Sequence, residues 1–509
     1  MSKIKVLKDV NIEKDALGSL HTSLNQQKMK SLLDSTGPGF CLAKWTQVTM
    51  HLGSGLTHSC HHPGAHKIPL DELKDNPGAL HNTQFKKERR KEMLNGERPE
   101  ECDYCWRIED NTTAFSDRIN KSLDPYSLEY HDEIKYSTGD ENIYPKYVEV
   151  SFGNVCNFKC SYCGPTFSSK WAEEIKSEGP YTFNDGSNFN YHTHGVNNTS
   201  QDNPYTDAFW KWFPEALEHM HTFRITGGEP LLNKHTFKVL EYLKNNPNPT
   251  LDFAINSNGN PPGNIWKKFT KDINYLIENK CIGRVLLFIS AESTGPQAEF
   301  SRLGMNWDEL TSNVEYFLEN TNNTQVSFMS AFNIFSYTTF LDFLKYVLVL
   351  KKRYNSYRYQ RWVDATINTD EGYETRTLGD ISRRVTDVRV SVDIPFIRNP
   401  NFLDPQIATR KIIKDYMIPA IDYMYAHIQT EWNGSVSFDQ WEAEKLKRIF
   451  DHSLNTTESD INPCRRNFVQ YIEQYEQRNN VNFLETFPEM EEFLNECKNV
   501  KDKIPLTNE

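Results

Sequence analysis

The stretch Tyr147-Val-Glu-Val-Ser151-Phe-Gly-Asn-Val-Cys156-Asn-Phe-Lys-Cys160-Ser-Tyr-Cys163 governs how the rest of the chain is read. Residues 147–151 are rich in β-formers and run into a loop, so a short strand is expected there. Three cysteines then fall within eight residues on that loop. Three thiolates so placed can wrap one face of an iron–sulfur cube, since soft thiolate is the usual ligand of such clusters. Three ligands for four irons leave one iron open, and an open metal position implies chemistry. The plainer readings are a zinc knuckle or three unrelated buried thiols. A knuckle needs a fourth Cys or His nearby, and none follows within ten residues; the next ligand-type side chain is Glu173.

The CxxxCxxC spacing, with aromatic Tyr162 before the last cysteine, resembles the signature of the radical S-adenosylmethionine (SAM) enzymes. The resemblance implies a [4Fe–4S] cluster on Cys156, Cys160 and Cys163, with SAM chelating the open iron. It further implies reductive cleavage of SAM to a 5′-deoxyadenosyl radical that abstracts hydrogen from a substrate. The protein then supplies orientation, electrons and shielding, and the cofactor the hard chemistry.

The same resemblance predicts a glycine-rich turn after a second strand. Phe223–Thr226 reads as that strand, and Gly227, Gly228, Glu229 and Pro230 follow it. Two glycines permit a backbone approach that a Cβ would block. By resemblance this turn holds the SAM amino group, with the Glu229 carboxylate accepting from the ammonium. Strand–helix alternation continues through a helical stripe at 235–245, a strand at 251–255 and a turn at 256–259. Val285–Ile289 is a continuous apolar run, expected to be buried on both faces. It ends at Ser290 and Glu292, where SPASM-type relatives place a Ser-x-acid step at the ribose. Arg302 is expected either to pair with the SAM carboxylate or to be a surface arginine. A helix starting at Asn306, a strand at 326–332, a helix at 338–351 and a strand through Val388, Val390, Val392 and Ile394 complete about six repeats. Such alternation implies a parallel sheet. With the motifs it resembles the family's partial (β/α)6 TIM-like barrel, over 145–397, with its site at the carboxyl ends of the strands.

A second constellation precedes this core. Cys41, thirteen residues, Gly55, four residues, Cys60, and later Cys102 and Cys105 resemble the twitch module, a shortened SPASM domain that carries an auxiliary [4Fe–4S] cluster. A hairpin turning at glycine can bring Cys41 and Cys60 together. The module usually follows the barrel, whereas here it precedes it. Structural zinc is the alternative, with imidazoles at His51, His58, His61, His62 and His66. Between the cysteines, Gln84–Gly96 mixes charges and ends on glycine, which predicts an exposed helix.

The remaining sequence is plainer. Lys176–Thr206 has loop composition and is expected to be a polar insertion. Tyr354, Tyr357, Arg358, Tyr359, Arg361 and Trp362 interleave rings and cations, and are expected to form a packed connector. Residues 400–509 read as helical, with stripes at Phe468, Ile472 and Tyr475 and at Ile413, Met417 and Ile421. Cys281, Cys464 and Cys497 are expected to be buried thiols. The organisation expected is an N-terminal cysteine module (1–140), a barrel (145–397) and a helical tail (400–509).

The chain has 509 residues with a net charge of −12, which disfavours nucleic acid as a partner. No apolar stretch is long enough for a membrane span, and the first residues carry no apolar signal core, so a reducing cytoplasm is expected. The resemblance implies an electron donor such as a flavodoxin or ferredoxin, and a peptide or protein as substrate. The alternatives are a small-molecule dehydrogenase of the same superfamily, or a catalytically silent iron–sulfur or zinc scaffold.

Overall fold

The alternation of apolar and polar residues along Tyr147–Ser151 builds a strand with two unlike faces, and its neighbours repeat the pattern. The computed structural model describes residues 12, 21–190, 202–360, 363–369, 372–378, 383–428 and 437–500, with the backbone alone over 356–387. Nine strands form the central sheet: β1 (Gln47–His51), β2 (Leu56–His58), β3 (His66–Lys67), β4 (Tyr147–Ser151), β5 (Thr222–Thr226), β6 (Asn248–Ser257), β7 (Ile282–Ser290), β8 (Thr324–Met329) and β9 (Val390–Asp393). Their order is β9-β8-β7-β6-β5-β4-β1-β2-β3. From β4 to β9 every pairing is parallel and every neighbour is the next strand in sequence. Helices Pro204–Leu217, Lys234–Asn245, Gly263–Glu278, Trp307–Asn320 and Phe340–Tyr354 make the crossovers. The result is a mixed α/β architecture around a mostly parallel sheet.

One face of the sheet is mostly apolar. Val148, Val150, Phe223, Ile225, Phe253 and Ile255 are fully buried there, against the apolar stripes of the crossover helices. The opposite face carries Tyr147, Glu149, Arg224, Asn256 and Phe288. The run Val285–Ile289 therefore departs from expectation. Val285, Leu287 and Ile289 are buried, while Leu286 and Phe288 are only half-buried on the polar face. The helix starts are local in origin: Asn306 Oδ1 accepts from Glu309 N at 2.8 Å, and Asn203 with Thr206 forms a capping box.

The N-terminal module is not a separate lobe of the sheet. β1 pairs in parallel with β4, Gln47 facing Tyr147, and β2 returns antiparallel with Thr49 facing His58. Gly55 makes the turn at φ +66°, where a Cβ would enter the Tyr205 ring. Behind the hairpin, Met29, Leu33, Phe40, Trp45 and Met93 form a small second core, with Cys41 and Cys102 packed against it.

The tail shares the main core with the sheet rather than standing apart. Glu442 and Lys351, both fully buried, pair at 2.8 Å, and Glu442 also accepts from Val392 N of β9. Cys281, Cys464 and Cys497 are buried as expected. Within the insertion, Tyr181–Thr182 pairs with Asn188–Phe189, and Gln470 and Gln474 of helix Glu458–Asn479 bind its backbone. Residues 191–201 lie outside the described residues. The expected connector is a pair of antiparallel ladders, 356–360 with 383–387 and 363–369 with 372–378. The side chains of Tyr357, Arg358 and Tyr359, and residues Arg361 and Trp362, lie outside the described residues. Among the described residues no helix is long and apolar enough to cross a membrane.

Candidate functional site

The loop after β4 carries Cys156, Cys160 and Cys163 to the carboxyl end of the parallel strands. Lys159–Cys160 forms a short antiparallel pair with Arg302–Leu303, so Arg302 lies directly opposite Cys160. Trp171 Nε1 donates to Cys160 O at 2.9 Å, and Cys163 N donates to the same carbonyl at 2.9 Å. Helix Glu458–Asn479 covers the loop from the other side: Tyr471 Oη donates to Ser161 O at 3.2 Å, and Tyr475 Oη to Phe300 O at 2.8 Å. Burial raises all three thiols above their ordinary range, Cys163 to about 12, while at Cys160 the Arg302 cation pulls the other way.

Two residues expected to meet SAM meet each other instead. Arg302 Nε donates to both oxygens of Glu292 at 3.0 Å, and Nη2 to Oε2 at 2.5 Å. Both side chains are nearly inaccessible. A charge buried this deeply needs an opposite charge, and these two satisfy one another. Burial opposes the Arg302 charge, but Glu292 together with Tyr162 and Cys160 outweighs it and holds the guanidinium well above its usual pKa. The remaining nitrogen, Nη1, stands 3.6 Å from Cys160 Sγ, and the guanidinium carbon lies 5.3 Å from the Tyr162 ring centre.

The turn Gly227–Pro230 is built against the cysteine loop. Gly228 N donates to Gly153 O at 3.3 Å and Glu229 N to Val155 O at 2.8 Å. A Cβ on Gly228 would come within 2.3 Å of Val155 O. Gly227 sits at φ +124°. The close approach that these glycines permit is therefore to the chain's own backbone. The Glu229 carboxylate, expected to receive a ligand ammonium, accepts from Leu231 N at 3.0 Å, Ser257 Oγ at 3.0 Å and Asn258 N at 2.6 Å. It ties the ends of β5 and β6 together. Burial raises its pKa to about 7 against the pull of these three donors. Pro230 is buried beside it, and Ser290 ends β7 half-exposed.

Below these loops the polar face of the sheet holds a network. Glu149 accepts from Tyr147 Oη at 3.1 Å and from Thr226 Oγ1 at 3.2 Å. Arg224 Nε donates to Asn256 Oδ1 at 3.0 Å, and the guanidinium lies 4.4 Å over the Phe288 ring. Such stacking stabilises a cation away from bulk water. His51, at the end of β1, has its Nε2 3.1 Å from His58 Nε2. Burial and the neighbouring imidazole lower His51 to a pKa of about 4, so it is neutral near pH 7.

At the other end of the module, Cys41, Cys60, Cys102 and Cys105 line one cavity with His62, Met93 and Arg118. Cys60 lies two residues past His58, level with Gln47 and Tyr147 at the amino ends of the strands. The two cysteine groups are thus separated by the length of β4, on the order of 15 Å. His61 brings its ring to 6.4 Å from Tyr147, so the residue after Cys60 reaches the polar face. The other imidazoles are engaged elsewhere: His62 Nε2 with Asp117 at 2.7 Å, His66 with Thr83 at 3.0 Å, and His58 Nδ1 with Cys60 O. Among the described residues no three His, Cys, Asp or Glu side chains gather closely enough to hold a single metal ion. Burial raises Cys41, Cys102 and Cys105 to about 12. Cations surround the cavity: Lys44 pairs with Glu101, and Arg118 pairs with Glu109 and Asp34 at 2.8 Å. Each of these cations already has its carboxylate, and burial holds the four thiols on their neutral side.

No family model, curated protein or solved structure matches the chain. Sequence reasoning missed three features of the site. The polar face was present in the alternation of Tyr147, Glu149 and Ser151 with Thr222, Arg224 and Thr226. The covering tyrosines of the tail and the paired fate of Glu292 and Arg302 had no local signal.

Proposed function

We propose that the chain is a radical SAM enzyme acting on a peptide or protein. The observation that carries this reading is that one loop, at the carboxyl ends of six sequential parallel strands, bears Cys156, Cys160 and Cys163 and is hydrogen-bonded to the Gly227–Pro230 turn. On this reading the sheet curls as a partial barrel with its polar face inward. Cys156, Cys160 and Cys163 would hold a [4Fe–4S] cluster, and Cys41, Cys60, Cys102 and Cys105 a second one. When bound, the cluster and SAM supply a 5′-deoxyadenosyl radical that takes a hydrogen atom from the substrate. Arg302 steadies the Cys160 thiolate and, being held by Glu292, cannot swing away. Gly227 and Gly228 keep their turn against the cysteine loop. Arg224, Asn256, Tyr147 and Glu149 present donors and acceptors suited to amide groups. Phe288 and the helix carrying Tyr471 exclude water. An electron donor such as a flavodoxin or ferredoxin fits this reading.

The test is spectroscopic. After anaerobic reconstitution and reduction, SAM should change the electron paramagnetic resonance signal of the cluster on Cys156, Cys160 and Cys163. A signal indifferent to SAM argues against an open iron.

A further inference from the structure

Helix Gln84–Leu94 turns Lys86, Arg90 and Met93 inward, at the i, i+4, i+7 spacing of one helix face. Met93 lines the four-cysteine cavity. Lys86 and Arg90, expected on an exposed helix, are wholly buried. The other deeply buried cations have carboxylates: Lys351 has Glu442, Arg302 has Glu292, Arg118 has Glu109, and Lys44 has Glu101. Lys86 has only a hydroxyl, Thr57 Oγ1, at 3.0 Å. Thr57 sits on β2, three residues before Cys60. Arg90 has the Asn82 carbonyl at 2.9 Å, the Glu141 backbone oxygen at 3.5 Å and His81 Nε2 at 3.0 Å, and its Nε has no partner. Among the described residues neither cation has a carboxylate within ion-pair distance.

Two cations held this way are unfavourable unless an anion stands close by. Beside Lys86 the groups whose charge favours the ammonium are Glu101, already paired with Lys44, and Cys60, which follows the β2 segment that carries Thr57. Four thiolates around a doubly positive metal unit leave two negative charges, whether that unit is a four-iron cluster or one divalent ion. A histidine in place of one thiolate leaves a single negative charge.

We propose that Lys86 is a counter-charge of a centre bound by Cys41, Cys60, Cys102 and Cys105, and that this centre carries two net negative charges. The inference rests on these four cysteines binding metal and does not depend on the SAM site. Loading the centre then stabilises Lys86, and Lys86 in turn favours the reduced centre, because each charge acts on the other equally.

The test uses the full chain with Cys156, Cys160 and Cys163 changed to Ala, so that only the four-cysteine centre fills. Lys86→Met, Lys86→Gln and Lys86→Arg are compared by thermal unfolding before and after loading with iron and sulfide or with zinc, and by redox titration of the iron-loaded form. Lys86→Gln keeps a donor for Thr57 should the methionine pack badly. The expected result is opposite in sign for the two states. The metal-free neutral variants melt at or above the parent, loading raises their melting temperature less, and their reduction potential is more negative. Lys86→Arg stays near the parent. Equal destabilisation of both states with an unchanged potential overturns the proposal, as does a parent that takes up no metal. Uptake of zinc but no iron overturns the auxiliary-cluster reading above, and the two melting shifts then decide the charge proposal.

Discussion

Arg302 stands with one nitrogen 3.6 Å from the sulfur of Cys160 and its other edge gripped by Glu292. The cysteine sits in the middle of the triplet, and the guanidinium is fixed by an ion pair rather than by a ligand. Replacing Glu292 by Gln leaves a buried guanidinium with a neutral partner. Breaking such a pair costs about 3–5 kcal/mol, so Glu292→Gln should lower the melting temperature of metal-free protein. Arg302→Lys cannot reproduce the fork geometry and should retain less iron at the triplet than the parent. Iron and sulfide analysis after desalting checks this; parental retention would show that Arg302 does not support the thiolate.

Gly228 is the position where the turn and the cysteine loop touch. A Cβ there meets the Val155 carbonyl oxygen, a backbone atom that cannot move without moving Cys156. Gly228→Ala should therefore displace the loop and abolish loading of the triplet. Metal binding by the N-terminal cysteines should persist. Iron counts on this variant, compared with a Cys160→Ala chain, separate a local effect from general unfolding.

Glu229 gives a pH signature. Its folded pKa is raised to about 7 by burial, above the ordinary carboxylate value. The folded state thus favours the protonated form. This contribution to stability is fully present below the unfolded pKa near 4.3 and is lost as pH rises to about 7. The loss is on the order of 3 kcal/mol. Denaturant unfolding of metal-free protein should show this decline between about pH 4.5 and 7, and Glu229→Gln should flatten it. Parallel pH profiles for the two chains would contradict the assignment.

Tyr471 anchors the tail on the cysteine loop through Ser161 O. Tyr471→Phe keeps the ring and removes one hydrogen bond, worth about 1 kcal/mol. The fold should survive, while bleaching of the triplet's cluster in air should quicken as the cover loosens. Absorbance decay at the cluster band measures it. Equal decay in the variant would mean that the helix does not shield the loop.

How much of this was readable before the fold was known depends on distance along the chain. The strand at 147–151, the cysteine loop, the turn at 227–230 and the cap at Asn306 are written in neighbouring residues, and the structure places them in one register. The hairpin that turns at Gly55 was also local. The pairing of Glu292 with Arg302 was hidden because either charge alone suits a ligand, and only burial of both shows that they satisfy each other. Lys86 and Arg90 were hidden for the opposite reason: on a mixed-charge helix an inward lysine looks like an outward one. Phe288 looked like core because an apolar run does not reveal that a cation will lie on one of its rings.

The central claim is that Cys156, Cys160 and Cys163 hold a cluster that cleaves SAM. The most direct measurement is release of 5′-deoxyadenosine from SAM by the anaerobically reconstituted, reduced chain, with iron counted in the same sample. The account predicts about eight irons per chain, deoxyadenosine from the parent, and none from Cys160→Ala. A Cys160→Ala chain that releases as much deoxyadenosine as the parent would contradict it.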